Sequence, residues 1–189
     1  MTIFLILAPY AAFATLMLVS SAAVSVFASA AICLMVIAYD ALRGRSLKML
    51  GAASVIVFAA LGAYITLLDT SPSSSAVKLA VDAGVFAVSL TSLAIRKPFT
   101  LQYAREMVDA ETAQLPGFTR ANYIITWAWT GAFLLMMIAN VLMIYVPGLP
   151  LWSGLVIAFA ARNSAVYFTK WYPQYRKAKH AAPANAGAL

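Results

Sequence analysis

The sequence predicts an all-α integral membrane protein, a bundle of about six transmembrane helices, and three observations carry that expectation. Of the 189 residues, 63% are hydrophobic and only 10% are charged. A soluble domain carries about 25% charged residues, so this chain has too few to cover a water-facing surface. Apolar runs able to cross the ~30 Å hydrocarbon core recur along it. Turn-rich or basic segments separate those runs, as loops between spans do.

The first apolar run, 3–39, is too long for one ordinary span and fits a tight hairpin broken at Ser20-Ser21. That gives spans at 3–19 and 22–42, with Pro9 leaving the first one kinked, short or re-entrant. The run lacks a basic leader and exceeds the ~7–15 apolar residues of a cleaved signal, so it is expected to be retained. A third span, 48–68, precedes the turn-rich loop Asp69-Thr70-Ser71-Pro72-Ser73-Ser74-Ser75. The fourth, 77–95, stops at Arg96-Lys97-Pro98; the fifth, 119–146, ends at Val146-Pro147-Gly148; the sixth, 151–172, stops before Pro173. Residues 1–179 thus form one helical domain, and 180–189 are expected to be a disordered tail.

Between the fourth and fifth spans the chain turns from apolar to charged, in LAIRKPFTLQYARE (93–106). Pro98 disfavours helix in the residue before it and ends the span. Thr100 is then positioned to cap a new helix. Leu101, Ala104, Met107 and Val108 share one face of it, and Gln102, Arg105, Glu106 and Asp109 much of the other. Arg105 and Asp109 make an i,i+4 pair worth ~0.3 kcal/mol. The expectation is a short helix along the membrane surface as far as Pro116-Gly117.

Charge orients the bundle. Arg43, Arg45 and Lys48 follow the second span; Arg96, Lys97, Arg105 and Arg120 follow the fourth; Lys170, Arg176, Lys177 and Lys179 follow the sixth. Eleven of the thirteen basic residues therefore fall on one side, Lys78 lies on the other, and Arg162 is within a span. By the positive-inside rule that side is cytoplasmic, and both termini with it. Tyr145 and Trp152 at one boundary, with Trp171, Tyr172 and Tyr175 at the other, sit where aromatic belts form.

The net charge of +7 has the same explanation, and no basic helix or finger offers a scaffold for nucleic acid. Cys33 and His180 are the only residues of their kinds, too few for a thiolate or histidine metal cluster. No Gly-rich phosphate loop and no Ser-His-Asp set occurs, so neither a cofactor nor enzymatic activity is expected.

The costly residues are polar ones inside spans, at about 2.5–3.5 kcal/mol for a mid-helix charge. Arg162 lies near the middle of the sixth span, with Asn163 beside it and Tyr167 one turn beyond Asn163. Asp82 and Asn140 lie at similar depth, about 9 Å, in the fourth and fifth spans. An arginine snorkelling towards that level would join them in one buried cluster, Arg162–Asp82–Asn140. Asn122, Thr126 and Thr130 make an i, i+4, i+8 stripe, either bonding between helices or lining a pathway for a small ligand or proton. Asp40 and Asp69 lie at helix ends and need no special role. Gly51, Ala52, Gly62 and Ala63 suit close helix packing.

Lys97-Pro98, the short charged linker, Trp129 and, eleven residues later, Ala139-Asn140 before a proline turn together carry a family likeness. In these features, and in the early hairpin with Pro9, the chain resembles the bacterial intracellular septation protein A family of small polytopic inner-membrane proteins. The residue likeness covers about 85–150, and Arg162-Asn163 has no counterpart in it. The resemblance implies a non-enzymatic inner-membrane protein of envelope maintenance or division, acting through a membrane-protein partner or as a homo-oligomer in the lipid bilayer. The residues themselves leave open a small transporter or channel built on Arg162, Asp82 and Asn140, and thirdly a lipid-modifying enzyme.

Overall fold

The structure is a computed structural model that describes residues 2–68, 72–146 and 148–185. Among them are eight helices: α1 (Thr2–Val19), α2 (Ala22–Leu42), α3 (Met49–Leu67), α4 (Ser74–Ala94), α5 (Phe99–Arg105), α6 (Ala110–Gln114), α7 (Pro116–Tyr145) and α8 (Leu151–Asn185). No strand is present among the described residues. Four helices, α2, α3, α4 and α7, are long and apolar enough to cross a membrane. The expected loop residues Asp69, Thr70 and Ser71, and Pro147 of the later turn, lie outside the described residues.

The hairpin breaks where the serines predict. Ser21 caps α2, its hydroxyl accepting from the Val24 N–H at 3.3 Å, and Ser20 folds its hydroxyl back onto the Leu16 carbonyl at 2.8 Å. Successive long helices then pack side by side, α1 on α2, α2 on α3, α3 on α4, α4 on α7 and α7 on α8. The row curves, so that Tyr10 of α1 and Arg162 of α8, from its two ends, line the same cavity.

Two small residues set the spacing inside the row. Gly62 of α3 meets the ring edge of Phe27, and Gly84 of α4 lies so close to Val57 that a Cβ there would fall 2.6 Å from a Val57 methyl. Gly62 thus packs closely as its sequence context suggests, whereas Gly51 has only ordinary contact, 3.7 Å, with Ile37. The core between α1, α2, α3 and α4 is built around Phe58, with no exposed surface, against Phe13, Val26, Cys33 and Val81.

The segment after α4 departs from expectation. Its helix ends at Ala94, before Pro98, through a turn in which the Lys97 N–H reaches the Ser92 carbonyl at 2.9 Å and the Arg96 N–H the Leu93 carbonyl at 3.0 Å. This closing pattern needs a left-handed residue, and Arg96 takes that role with φ 58°. A side chain costs roughly 1–2 kcal/mol there. Arg96→Gly is therefore expected to raise stability by about 1 kcal/mol, read as an upward shift of the unfolding midpoint in detergent.

Thr100 does not cap. Pro98 precedes the first turn of α5, and Thr100 lies inside the helix, buried, donating to the Asn122 carbonyl at 3.0 Å and sharing a 2.7 Å hydrogen bond with the Thr126 hydroxyl. Phe99, Thr100 and Leu101 are all buried, so the start of α5 is tucked against α7 instead of lying on a surface. The expected Arg105–Asp109 helical pair is absent because no single helix carries both residues. α5 stops at Arg105, and Asp109 starts α6, accepting from the Thr112 N–H at 2.7 Å and its hydroxyl at 3.0 Å. Those two donors hold the Asp109 carboxyl below the usual carboxylate range. The cap is therefore complete at neutral pH and weakens only as pH falls through that lowered value.

At the other end, α8 runs on through Pro173 to Asn185, past both the predicted stop and the start of the predicted disordered tail. Phe168 stacks on Tyr172 at 5.2 Å just before the proline, and Trp171 stacks on Tyr175 across it at 5.0 Å. Beyond it Arg176 donates to the Gly117 carbonyl at 2.9 Å, tying the extension to the start of α7.

Candidate functional site

Three of the polar residues picked from the sequence converge. Asn140 of α7 donates to Asp82 of α4 at 2.9 Å and to the Met136 carbonyl of its own helix at 3.1 Å. Asp82 is 8% exposed, so Asn140 supplies a partner to a carboxyl group with little access to solvent. Arg162 lines the same cavity as Asp82, but among the described residues no carboxylate lies within ion-pair distance of it. The cluster therefore holds a bonded Asp82–Asn140 pair and a guanidinium close enough to attract Asp82 without contacting it.

Asn163 and Tyr167 fall outside this cluster. One residue along α8 from Arg162, Asn163 is turned to the outer face, where its amide donates to the Phe159 carbonyl at 2.8 Å, and Tyr167 is 68% exposed. A step of about 100° per residue separates neighbours on a helix, which is why adjacency in sequence misleads here.

The α7 stripe divides in function. Thr126 and Thr130 are buried and spent on packing, Thr126 with Thr100, and Thr130 with Ser89 of α4 at 2.6 Å. Such bonds between membrane helices average about 0.6 kcal/mol each. Asn122 donates to the Phe118 carbonyl at 3.0 Å and also borders the cavity.

That cavity has a volume of about 410 Å³. It begins at the basic end of the bundle, where Thr112, Lys170 and Lys177 line it, and reaches Asp82 and Arg162 in the interior. Aromatic side chains dominate its middle, among them Phe99, Tyr103, Trp129 and Phe133. Trp129 is fixed by a 3.0 Å hydrogen bond from its indole N–H to Thr169 of α8 and lies 5.7 Å, centroid to centroid, from Phe133. The tucked position of α5 thus supplies one wall of the cavity, through Phe99 and Tyr103.

A second polar centre was not expected from the sequence. Lys48, 5% exposed, pairs with Asp40 at 2.7 Å and Glu106 at 3.1 Å, and its ammonium lies 5.5 Å from the centre of the Tyr103 ring. Arg45 adds a further contact to Asp40 at 3.1 Å. Asp40, read from the sequence as a helix-end residue without a special role, therefore helps tie α2 and the loop before α3 to α5. Burial keeps the Tyr103 phenol well above its ordinary titration range, so the ring presents a neutral face to Lys48. Gln102 strengthens the junction by accepting from the Met49 N–H at 2.8 Å.

Compared with known proteins, the chain matches no family model, no curated protein and no solved structure.

Proposed function

We propose that this chain is a small non-enzymatic transporter of the bacterial inner membrane, carrying small amphipathic molecules through the cavity that ends on Asp82 and Arg162. The single observation behind this reading is the continuity of that cavity from the basic end to two intramembrane ionisable groups. A pocket of a few hundred cubic ångströms, mostly apolar with a few convergent polar groups, is the form small-molecule sites take. Ionisable residues at membrane depth are expensive and mark pathways by default. In this reading α1 and α8 join the four long apolar helices as crossings, giving six, with the basic end and both termini in the cytoplasm. The 18 residues of α1 span about 27 Å, close to the hydrocarbon thickness.

The test is flux through reconstituted vesicles, using tetraphenylphosphonium, benzoate and benzamide as cationic, anionic and neutral probes. At least one should cross faster than in protein-free vesicles, and both Arg162→Ala and Asp82→Asn should abolish the difference. Unchanged flux in both variants, with only the unfolding midpoint lowered, would make the cluster structural. The likeness to the septation family over about 85–150 supports a second reading, envelope upkeep through a membrane partner. Met107 and Leu115, 62% and 53% exposed on the linker, are where such a partner would meet the chain.

A further inference from the structure

The charges facing the cavity are not balanced. Arg162 faces its interior, and Lys170 and Lys177 face its mouth, against one carboxylate, Asp82. That carboxylate already has a hydrogen-bond donor in Asn140. Arg162 has no hydrogen bond and no ion-pair contact within 4 Å among the described residues, and Asp82 is near enough only for a longer-range attraction. A guanidinium whose donors have no acceptor is costly at membrane depth, and its planar fork fits a carboxylate with two parallel bonds. Trp129 and Phe133, also on the cavity wall, offer aromatic surface to a flat apolar body. The volume of about 410 Å³ suits a ring system bearing one short acidic arm, and is too small for a two-chain lipid.

Resting on the transport reading above, we infer that the ligand is a small aromatic monocarboxylate, its carboxylate on Arg162 and its ring against Trp129 and Phe133. Lys170 and Lys177 then act before binding, raising the local concentration of anions at the mouth. Asp82, close to the same end of the cavity, disfavours a second negative charge and so selects monoanions over dianions.

Calorimetric titration of the full chain in detergent with three probes sharing one ring decides the matter: indole-3-acetate, indole-3-acetamide and tryptamine. Indole-3-acetate should bind at least tenfold more tightly than the neutral amide or the cationic amine. Arg162→Gln should weaken it at least tenfold, and Arg162→Lys, which keeps the charge but loses the fork, should weaken it less. If Arg162→Gln does not fold, the ranking of the three probes on the unaltered chain decides alone. Equal or tighter binding of the amide or of tryptamine would overturn the carboxylate assignment while leaving a ligand-binding cavity in place. Failure of all three to bind would also overturn it, and flux of any vesicle probe would then show that only the ligand class was wrong.

Discussion

Replacing Lys48 with methionine is expected to lower stability by about 3–5 kcal/mol, the cost of breaking a buried ion pair by removing one partner. The loss exceeds that of a surface pair because Lys48 is only 5% exposed and serves two carboxylates, Asp40 at 2.7 Å and Glu106 at 3.1 Å. Without the ammonium, Asp40 keeps only Arg45, and Glu106 loses its ion-pair partner. The triple variant Lys48→Met, Asp40→Asn, Glu106→Gln removes all three charges together and should recover most of the loss. Unfolding midpoints of both variants in detergent check the pair of claims. A single substitution costing less than about 1 kcal/mol would place Lys48 in the class of solvated ion pairs. Because Glu106 follows α5 directly, Lys48→Met should also loosen that helix and speed tryptic cleavage at Arg105.

Phe58→Ala is the second large effect, at about 3 kcal/mol, towards the low end for buried phenylalanine truncation. Phe58 is wholly buried, with the rings of Tyr10 and Phe13 5.9 and 5.4 Å away, so the substitution opens a void between α1 and α3. In a bilayer the lost transfer energy is small, since lipid is as apolar as the core, and the loss comes mainly from packing contacts. Phe159, 73% exposed on α8, supplies the control, and Phe159→Ala should change the midpoint little. Equal effects at the two positions would contradict the packing of α1 against α3.

These two positions also show how much of the molecule the sequence disclosed. Hydropathy and loop composition located the long helices to within a few residues, save the C-terminal end of α8, because both follow from local chain properties. Ser20-Ser21 marked the hairpin and Ser73, through its hydroxyl, caps α4 within the expected loop. The Lys48 junction joins residues far apart in sequence, and no local pattern announces such a meeting. Phe58 looked like any other apolar residue of its span, because periodicity says little when lipid makes every face apolar. Thr100 misled because threonine both caps helices and bonds between them, and only the approach of α7 decides which. Pro173 misled because a proline-containing helix can persist, here with Trp171 and Tyr175 stacked across it.

The site was legible in part for the same reasons. Arg162, Asp82 and Asn140 stood out through the cost of placing them in lipid, and the Asp82–Asn140 hydrogen bond joins two of them. Asn163 and Tyr167, noted beside Arg162, face outward. The cavity walls could not be foreseen, since Phe99 and Tyr103 reach it only through the inward tuck of α5.

Water and solutes are expected to reach the interior of the bundle from its basic end. Val166 lines the cavity, while Ala160, also on α8, is exposed on the outside of the bundle. With the buried Cys33 replaced by alanine, Val166→Cys and Ala160→Cys can each be offered a membrane-impermeant maleimide from one side at a time. Val166→Cys is expected to react from the cytoplasmic side alone, and Ala160→Cys, on the outer face, from neither. Val166→Cys remaining unreactive from the cytoplasmic side, in a protein whose unfolding midpoint is unchanged, would contradict entry from the basic end.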